Sequence, residues 1–137
     1  MEAKSLSVRP VSLSLAALEA FERCLRPHVD ATAGLCSIED VCRGAQVYEI
    51  REAGTPIAWY AVRVDHYTGG DNAVIVAAAG RRPGVDLTAV TLAALERQFS
   101  RCAMLTAITR RPFLARKLVT FGFAPTGFVL RKRLQCH

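Results

Sequence analysis

The chain has 137 residues, of which 51% are hydrophobic and 22% are charged. This length and composition exclude a disordered protein and predict one globular domain, residues 1–137, with a core that needs no disulfide or metal. No apolar stretch reaches the roughly 20 residues that span a bilayer, and the opening MEAKSLSVRP lacks the apolar region of a secretory signal. We therefore expect a cytoplasmic protein with no membrane partner.

The cysteines and histidines show no spacing typical of a metal site. Five cysteines and three histidines are scattered along the chain, and no C-x-x-C pair occurs. Zinc sites need closely spaced ligand pairs, so no metal is predicted. We interpret several of the thiols as small buried hydrophobic groups in a reducing compartment.

The net charge of +6 is concentrated in the C-terminal part of the chain. Residues 1–95 contain nine Lys and Arg against eleven Asp and Glu, whereas residues 96–137 contain nine against one. Two interpretations remain open: a solvated basic face, or contact with an anion such as a phosphorylated cofactor or nucleic acid. Nucleic acid is the third choice of partner, because the phenylalanines of 96–137 follow a core-like spacing and offer no stacking platform.

The first third of the chain predicts one strand and two helices. Residues 5–11 alternate in polarity and are typical of an edge strand. A helix with apolar residues at spacings of three and four begins after Ser12 or Ser14 and ends before Pro27. A short second helix is predicted over 37–45.

The middle of the chain predicts an antiparallel meander that ends in a strand with apolar residues on both faces. Alternation places Trp59 and Tyr60 on opposite faces of the sheet. Glu49 and Glu52 are interpreted as surface charges of the hairpin. The strands and turns of the meander are, in order, 46–52, 53–55, 56–65, 66–71 and 72–79.

The remaining residues alternate between helix and strand. Asp86 is the predicted N-cap of a helix over 87–99, and a buried strand follows over 103–109. An amphipathic helix over 111–121 leads into a last strand over 123–134. The predicted order is β-α-α-β-β-β-α-β-α-β, an α/β architecture with a mixed sheet.

This order resembles the GNAT superfamily of N-acetyltransferases. In that family a Gly-Phe pair leads from a helix into the last strand, as Gly122 and Phe123 do here. The family's acetyl-CoA loop, Q/R-x-x-G-x-G/A, corresponds to residues 81–86, where Arg81 and Gly84 match the pattern. The wording AAAGRRPGVDLT is also similar to short acetyltransferase-like proteins of phages and prophages. The resemblance implies an α/β (α+β) GNAT-like acyl-CoA N-acyltransferase fold, with a mixed, mostly antiparallel sheet and helices on both faces.

The resemblance also implies a cofactor and a place for it. In the family, backbone N–H groups of the loop and of the following helix bind the pyrophosphate, and the pantetheine pairs with the strand before the loop. The partners would then be a CoA thioester, acetyl-CoA, and an unknown amine that attacks it directly. Carried over, the cofactor-binding residues are Val76, Ala77, Ala78, Arg81, Arg82, Gly84, Val85, Asp86, Leu87 and Thr88.

Several residues depart from the family pattern. Pro83 removes one backbone N–H from the loop. Asp86 stands where Gly or Ala is usual, and as a helix cap it competes with a phosphate for the same donors. Arg81 and Arg82 offset that repulsion only if both turn towards the ligand. The tyrosine that usually protonates the leaving thiolate is replaced by Leu118, so no catalytic residue is assigned.

Two functions therefore remain open from the sequence. The first is a GNAT-like acyl-CoA-dependent N-acetyltransferase of unknown substrate, and the departures leave open whether its catalysis is degenerate. The second is a non-catalytic GNAT-fold binding or assembly protein associated with a phage or prophage. The edge of the last predicted strand offers a surface for a homodimer.

Overall fold

The computed structural model describes residues 5–135, which form a five-stranded sheet covered by helices. The elements in chain order are β1 (Leu6–Val11), α1 (Leu15–Phe21), a 3-10 turn (Glu22–Leu25), α2 (Ile38–Val41), β2 (Gln46–Glu52), β3 (Thr55–Tyr67), β4 (Gly70–Gly80), α3 (Leu87–Gln98), β5 (Met104–Ala107) and α4 (Pro112–Thr120). No helix in this described part of the chain is long and apolar enough to cross a membrane.

The strands lie in the order β1-β2-β3-β4-β5, each antiparallel to the one before it except β5, which runs parallel to β4. A two-residue turn joins β2 to β3, with Ala53 at φ +48° and Gly54 at φ +83°. Two positive φ values in succession match the twist of a tight hairpin. The parallel β5 is reached through α3, as parallel neighbours require.

The first two helices begin at side-chain caps. Ser14 accepts a hydrogen bond from the Ala17 N–H at 3.2 Å, which settles the choice between the two candidate serines. Ser37 and Asp40 form a reciprocal capping box at the start of α2. Each cap satisfies backbone donors that the first helical turn leaves unpaired.

Two apolar clusters fill the two faces of the sheet. On one face α3 and α4 pack against the central strands, where the fully buried Tyr60 donates a hydrogen bond to Gln98 at 2.8 Å. Burial raises the pKa of Tyr60 to about 12. On the other face α1 and α2 cover a cluster that includes Phe21 and Trp59. The predicted opposite orientation of Trp59 and Tyr60 is confirmed, as are the mixed sheet and the helices on both faces.

The predicted last strand over 123–134 is wrong. Within residues 5–135 no strand follows α4, although Phe123 still packs on the core. Beyond it the side chains are exposed, Phe128 to 95% and Leu130 to 91%. Pro125 lacks a backbone donor, and β5 has only four residues to pair with. Strand propensity depends on a partner strand, and none of the strands in residues 5–135 pairs with this segment, although Arg133 donates to the Ala33 carbonyl at 2.7 Å.

Two further predictions for the hairpins need correction. The ladder between β3 and β4 extends to the pair Tyr67 and Gly70, so the predicted turn at 66–71 shortens to two residues. Glu49 and Glu52 are buried rather than surface charges. Both hold ion pairs, which is how a carboxylate is tolerated away from water.

Candidate active site

Strand β4 separates from β5 halfway along its length. The two strands pair only from Asn72 to Ile75, where the Thr106 hydroxyl donates to the Asn72 side-chain oxygen at 2.7 Å. The remainder of β4, Val76–Gly80, continues beyond the end of β5. One edge of this segment therefore lacks a neighbouring strand.

A bulge marks the point of separation. Ala61 pairs with Ala77 and Val62 with Ile75, so Val76 is an extra residue on β4. Bulges bend a strand and increase its twist, and they are frequent beside active sites. The bulge follows directly after Ile75, the last residue of β4 that pairs with β5.

The gap between the strands opens into a cleft of about 380 Å³. The cleft reaches both faces of the sheet, because residues of α3 and α4 line one side and residues of the 3-10 turn and the following connector line the other. Its wall is lined by Arg23, Cys24, Leu25, Val29, Asp30, Ala31, Thr32, Val41, Ala58, Trp59, Ile75, Val76, Ala77, Ala78, Ala79, Gly80, Leu87, Thr88, Thr91, Leu92, Ala107, Ile108, Thr109, Arg111, Leu114 and Leu118.

Gly80 ends β4 at a close approach to β3. A Cβ atom at this position would lie 2.7 Å from the Ala58 Cα and 2.8 Å from the Ile57 carbonyl oxygen. Both are backbone atoms and cannot move aside cheaply. A glycine is therefore required for the end of β4 to stay in the sheet where the loop begins.

The loop after β4 closes on itself. The Val85 N–H donates to the Arg82 carbonyl at 3.1 Å, with Pro83 and Gly84 as the two central residues. The φ of +79° at Gly84 is typical of a type II turn, in which proline and glycine hold these positions. The Leu87 N–H then donates to the Val85 carbonyl at 3.1 Å. The loop's donors at Val85 and Leu87 are thus engaged within the loop.

The N-terminus of α3 is also occupied by the chain's own acceptors. The Asp86 carboxylate accepts from the Ala89 N–H at 3.1 Å, and the Val90 N–H donates to the Asp86 carbonyl. Lys117 on α4 donates to the same Asp86 Oδ1 at 2.8 Å. The hydrogen bonds from Lys117 and from Ala89 hold the pKa of Asp86 below its usual range. The predicted cap is confirmed, and its charge has a resident counter-ion.

The two arginines of the loop differ in what they contact. Arg82 Nε lies 2.7 Å from Glu52 Oε1, so its guanidinium is directed to the end of β2. Arg81 is exposed. The loop therefore presents one arginine to solvent while the other joins β2 to the end of β4.

Two side chains face the cleft from opposite walls. Leu118 is buried among the apolar side chains of α3 and α4, and its side chain supplies no proton donor to the cleft. Cys24 Sγ donates to the Ala78 carbonyl at 3.3 Å, and burial raises the pKa of its thiol. Cys24 is thus a neutral thiol at the unpaired edge of β4.

The structure thus brings together part of the predicted site. Val76, Ala77, Ala78, Leu87 and Thr88 line the cleft, whereas Arg81, Arg82, Gly84, Val85 and Asp86 lie in the loop outside its wall. The sequence did not predict the opposite wall, which is formed by the 3-10 turn and the connector after α1.

One local signal in that wall was readable from sequence. The pattern Asp30-x-Thr32-x-Gly34 is typical of a side-chain-closed turn. Nothing in the sequence links Lys117 to Asp86, which lies 31 positions earlier.

Among residues 5–135, no three His, Cys, Asp or Glu side chains come together to hold a metal ion.

The chain matches no protein-family model and no curated protein sequence. It is similar over nearly its whole length to solved structures of acetyltransferases. Aminoglycoside N-acetyltransferase AAC(6')-Iy in complex with CoA has 17% identity and a TM-score of 0.59, with 98% of each chain covered. Glucosamine-6-phosphate N-acetyltransferase from Arabidopsis thaliana has 13% identity and a TM-score of 0.61, with 96% of this chain and 100% of that chain covered.

A predicted acetyltransferase from Clostridium acetobutylicum, solved with acetyl-CoA, has 14% identity and a TM-score of 0.65, covering 94% of this chain and 96% of that chain. The shared feature is the fold, and the predicted GNAT-like acyl-CoA N-acyltransferase fold is confirmed.

Proposed function

We propose that this protein transfers an acyl group from a CoA thioester, acetyl-CoA in the first place, to an amine. The observation that carries the proposal is the cleft where β4 leaves β5. The cleft crosses the sheet, so two substrates can enter from opposite faces and meet in it. Its volume is within the usual range for small-molecule sites.

The unpaired edge of β4 suits the acyl-pantetheine arm of the thioester. The arm carries amide groups, which can pair with the strand-free edge of Val76–Ala79 as a strand would, in place of the Cys24 thiol that donates to the Ala78 carbonyl. Its apolar segments would lie against Leu87, Leu92 and Leu118, which line the same side of the cleft. The acyl carbon then lies in the gap between the strands.

The amine enters from the side of the connector, where Asp30, Thr32 and Cys24 line the wall. Its nitrogen attacks the thioester carbonyl, the C–S bond breaks, and an amide and a free thiol form. Over the reaction the amine loses one proton and the leaving sulfur gains one. Thiol and hydroxyl groups of the wall are those of Cys24, Thr32, Thr88, Thr91 and Thr109, and the Thr32 hydroxyl already donates to Asp30.

The phosphates of CoA would lie beyond Thr88, over the loop and the start of α3. There the donors of Val85, Leu87 and Ala89 are engaged within the chain, which weakens an anion site. The exposed Arg81 is the loop's free cation among the described residues. Binding energy is therefore expected mainly from the pantetheine arm.

Thermal unfolding with acetyl-CoA tests the proposal. A ligand at about one hundred times its Kd raises the unfolding free energy by about 2.7 kcal/mol, which moves Tm by several degrees. Ala78→Leu introduces bulk into the cleft at an exposed position and should abolish the shift. Ala93→Leu, at an exposed position of α3 outside the cleft, is the matched control and should keep it. No shift for the unmodified protein at millimolar acetyl-CoA would contradict the proposal.

A second candidate is a non-catalytic GNAT-fold binding protein, including the phage-associated kind. The self-occupied N-terminus of α3 favours it, since the pyrophosphate must displace either Asp86 or Lys117. Asp86→Gly removes the resident carboxylate. Acetyl-CoA binding by this variant alone, with none by the unmodified protein, would support the second candidate.

A further inference from the structure

Two arginines line the cleft without a partner. Arg23 extends from the 3-10 turn and Arg111 lies at the N-cap of α4, and both are exposed at the wall. Neither guanidinium forms a hydrogen bond or an ion pair with any residue in the described range 5–135. Arg23 lies on the connector side, where the amine enters. Arg111 acts on the same side, because burial raises the pKa of the Cys24 thiol and the charge of Arg111 partly offsets that rise.

The carboxylate of Asp30, in the same wall, points towards the connector and forms its hydrogen bonds there. Asp30 Oδ1 accepts from the Thr32 N–H at 2.8 Å and from the Thr32 hydroxyl at 2.7 Å, and Oδ2 accepts from the Gly34 N–H at 2.9 Å. Burial alone would raise the pKa of Asp30, but these hydrogen bonds and the charge of Arg110 hold it below its usual range. Asp30 is ionised and satisfied, and it organises the connector without facing a ligand.

The balance of charge selects the form of the amine. Two nearby guanidiniums disfavour a bound ammonium ion and favour an anionic group. No histidine and no carboxylate with a free oxygen lines the described wall to remove a proton. The amine must therefore arrive neutral. At pH 7.5 roughly a third of a peptide N-terminal amine is neutral, against about one in a thousand for a lysine side chain, so the neutral fraction depends strongly on the amine.

We infer that the acceptor is a small primary amine that carries a carboxylate or a phosphate, which Arg23 and Arg111 bind. This inference rests on the proposed acyl transfer. The anionic group and the amine belong to one molecule, because both arginines and the gap in the sheet belong to one cleft. Polycationic amines are rejected by the same charges.

The test measures CoA release from acetyl-CoA with two matched pairs of amines. Glycine is compared with glycinamide, and glucosamine 6-phosphate with glucosamine. In at least one pair the anionic member should show a kcat/KM at least ten times higher, and the pair that responds identifies carboxylate or phosphate as the anion. Glycinamide has the less basic nitrogen, so a preference for glycine cannot arise from basicity.

Variants assign the preference to the wall. Arg23→Gln and Arg111→Gln should each reduce the kcat/KM ratio of the anionic to the non-anionic amine several-fold. Arg111→Glu should reverse this ratio in favour of the amine without an anionic group. Misfolding would lower both kcat/KM values and would not reverse their ratio. Arg101→Gln, exposed and outside the cleft, should leave it unchanged.

The thermal shift with acetyl-CoA separates two kinds of failure. No shift overturns the proposed acyl transfer. A shift with equal or faster turnover of the uncharged amines, or with no turnover of either anionic amine, overturns the inference about the acceptor alone.

Discussion

The predicted cofactor site has two halves, the end of β4 and the loop with the start of α3, and they differ in how many backbone groups remain available to a ligand. At the end of β4 the backbone edge of Val76–Ala79 has no strand beside it, and a cleft opens there. In the loop and at the start of α3, the donors of Val85, Leu87 and Ala89 are engaged by the chain itself. One half is open to a ligand, and the other is closed by its own hydrogen bonds.

The contrast has different physical causes in each half. The open edge follows from the topology, because a bulge at Val76 and a β5 of only four residues end the pairing of β4 with β5. This does not depend on the side chains of the loop. The closed loop follows from local chemistry, since Pro83 and Gly84 form a tight turn and Asp86 caps the helix. A fold can thus retain the shape of a ligand site while its sequence removes part of the site's binding groups.

The largest expected effect concerns the open half. Gly80→Ala places a methyl group against the backbone of Ile57 and Ala58 and should lower the unfolding free energy by about 1–3 kcal/mol, the usual cost of overpacking. Urea denaturation measures it. Gly69→Ala, where a Cβ meets nothing within 4 Å, is the control and should cost well under half as much. Equal losses at both positions would refute the close approach.

The next effect concerns the closed half, where Arg82 joins the loop to β2. Arg82→Ala removes the charged hydrogen bond to the buried Glu52 and should lower the unfolding free energy by about 1.5 kcal/mol. Arg81→Ala, one position earlier and exposed, should change it by less than about 0.5 kcal/mol. If the two variants are equally stable, Arg82 does not hold the loop to β2.

A smaller effect is expected at the cap of α3. Asp86→Ala loses the bond to the Ala89 N–H and should cost about 1 kcal/mol. Asp86→Asn keeps a capping oxygen and loses only the attraction to Lys117, an exposed ion pair that contributes about 0.2–1 kcal/mol. The ranking Ala below Asn below Asp in Tm checks this assignment, and Asn below Ala would contradict it.

The smallest effect is the pH dependence of that ion pair. Because Lys117 lowers the pKa of Asp86 in the folded protein, its stabilisation is present above about pH 4, the unfolded value, and is lost as the pH falls through the folded pKa. The stability difference between the unmodified protein and Asp86→Asn should therefore shrink in acid. A difference that stays constant from pH 7 to pH 2 would exclude a charge effect.

Most of the fold could be predicted from the sequence, because its elements carry strong local signals. Alternation over the meander, the caps at Ser14, Ser37 and Asp86, and Gly122 after α4 all indicated real boundaries. The predicted strand over 123–134 failed because a strand needs a partner, and no local pattern shows whether one is available.

The candidate site was less accessible from the sequence. The predicted cap at Asp86 is confirmed, because it acts on adjacent backbone groups, whereas the conflict of the loop with an anion stays a prediction. The pairings of Asp86 with Lys117 and of Arg82 with Glu52 join residues about 30 positions apart, and they depend on how helices and strands pack. The same reason hid Arg23 in the cleft wall.

The most direct test of this account compares acetyl-CoA with S-acetylpantetheine, which lacks the phosphates and the nucleoside. If the open end of β4 supplies most of the binding energy, titration calorimetry should give Kd values within about tenfold of each other, a difference below about 1.4 kcal/mol. A Kd for acetyl-CoA that is a hundred times lower than that of S-acetylpantetheine would show that the loop binds the phosphates after all. Binding of neither ligand would contradict the account altogether.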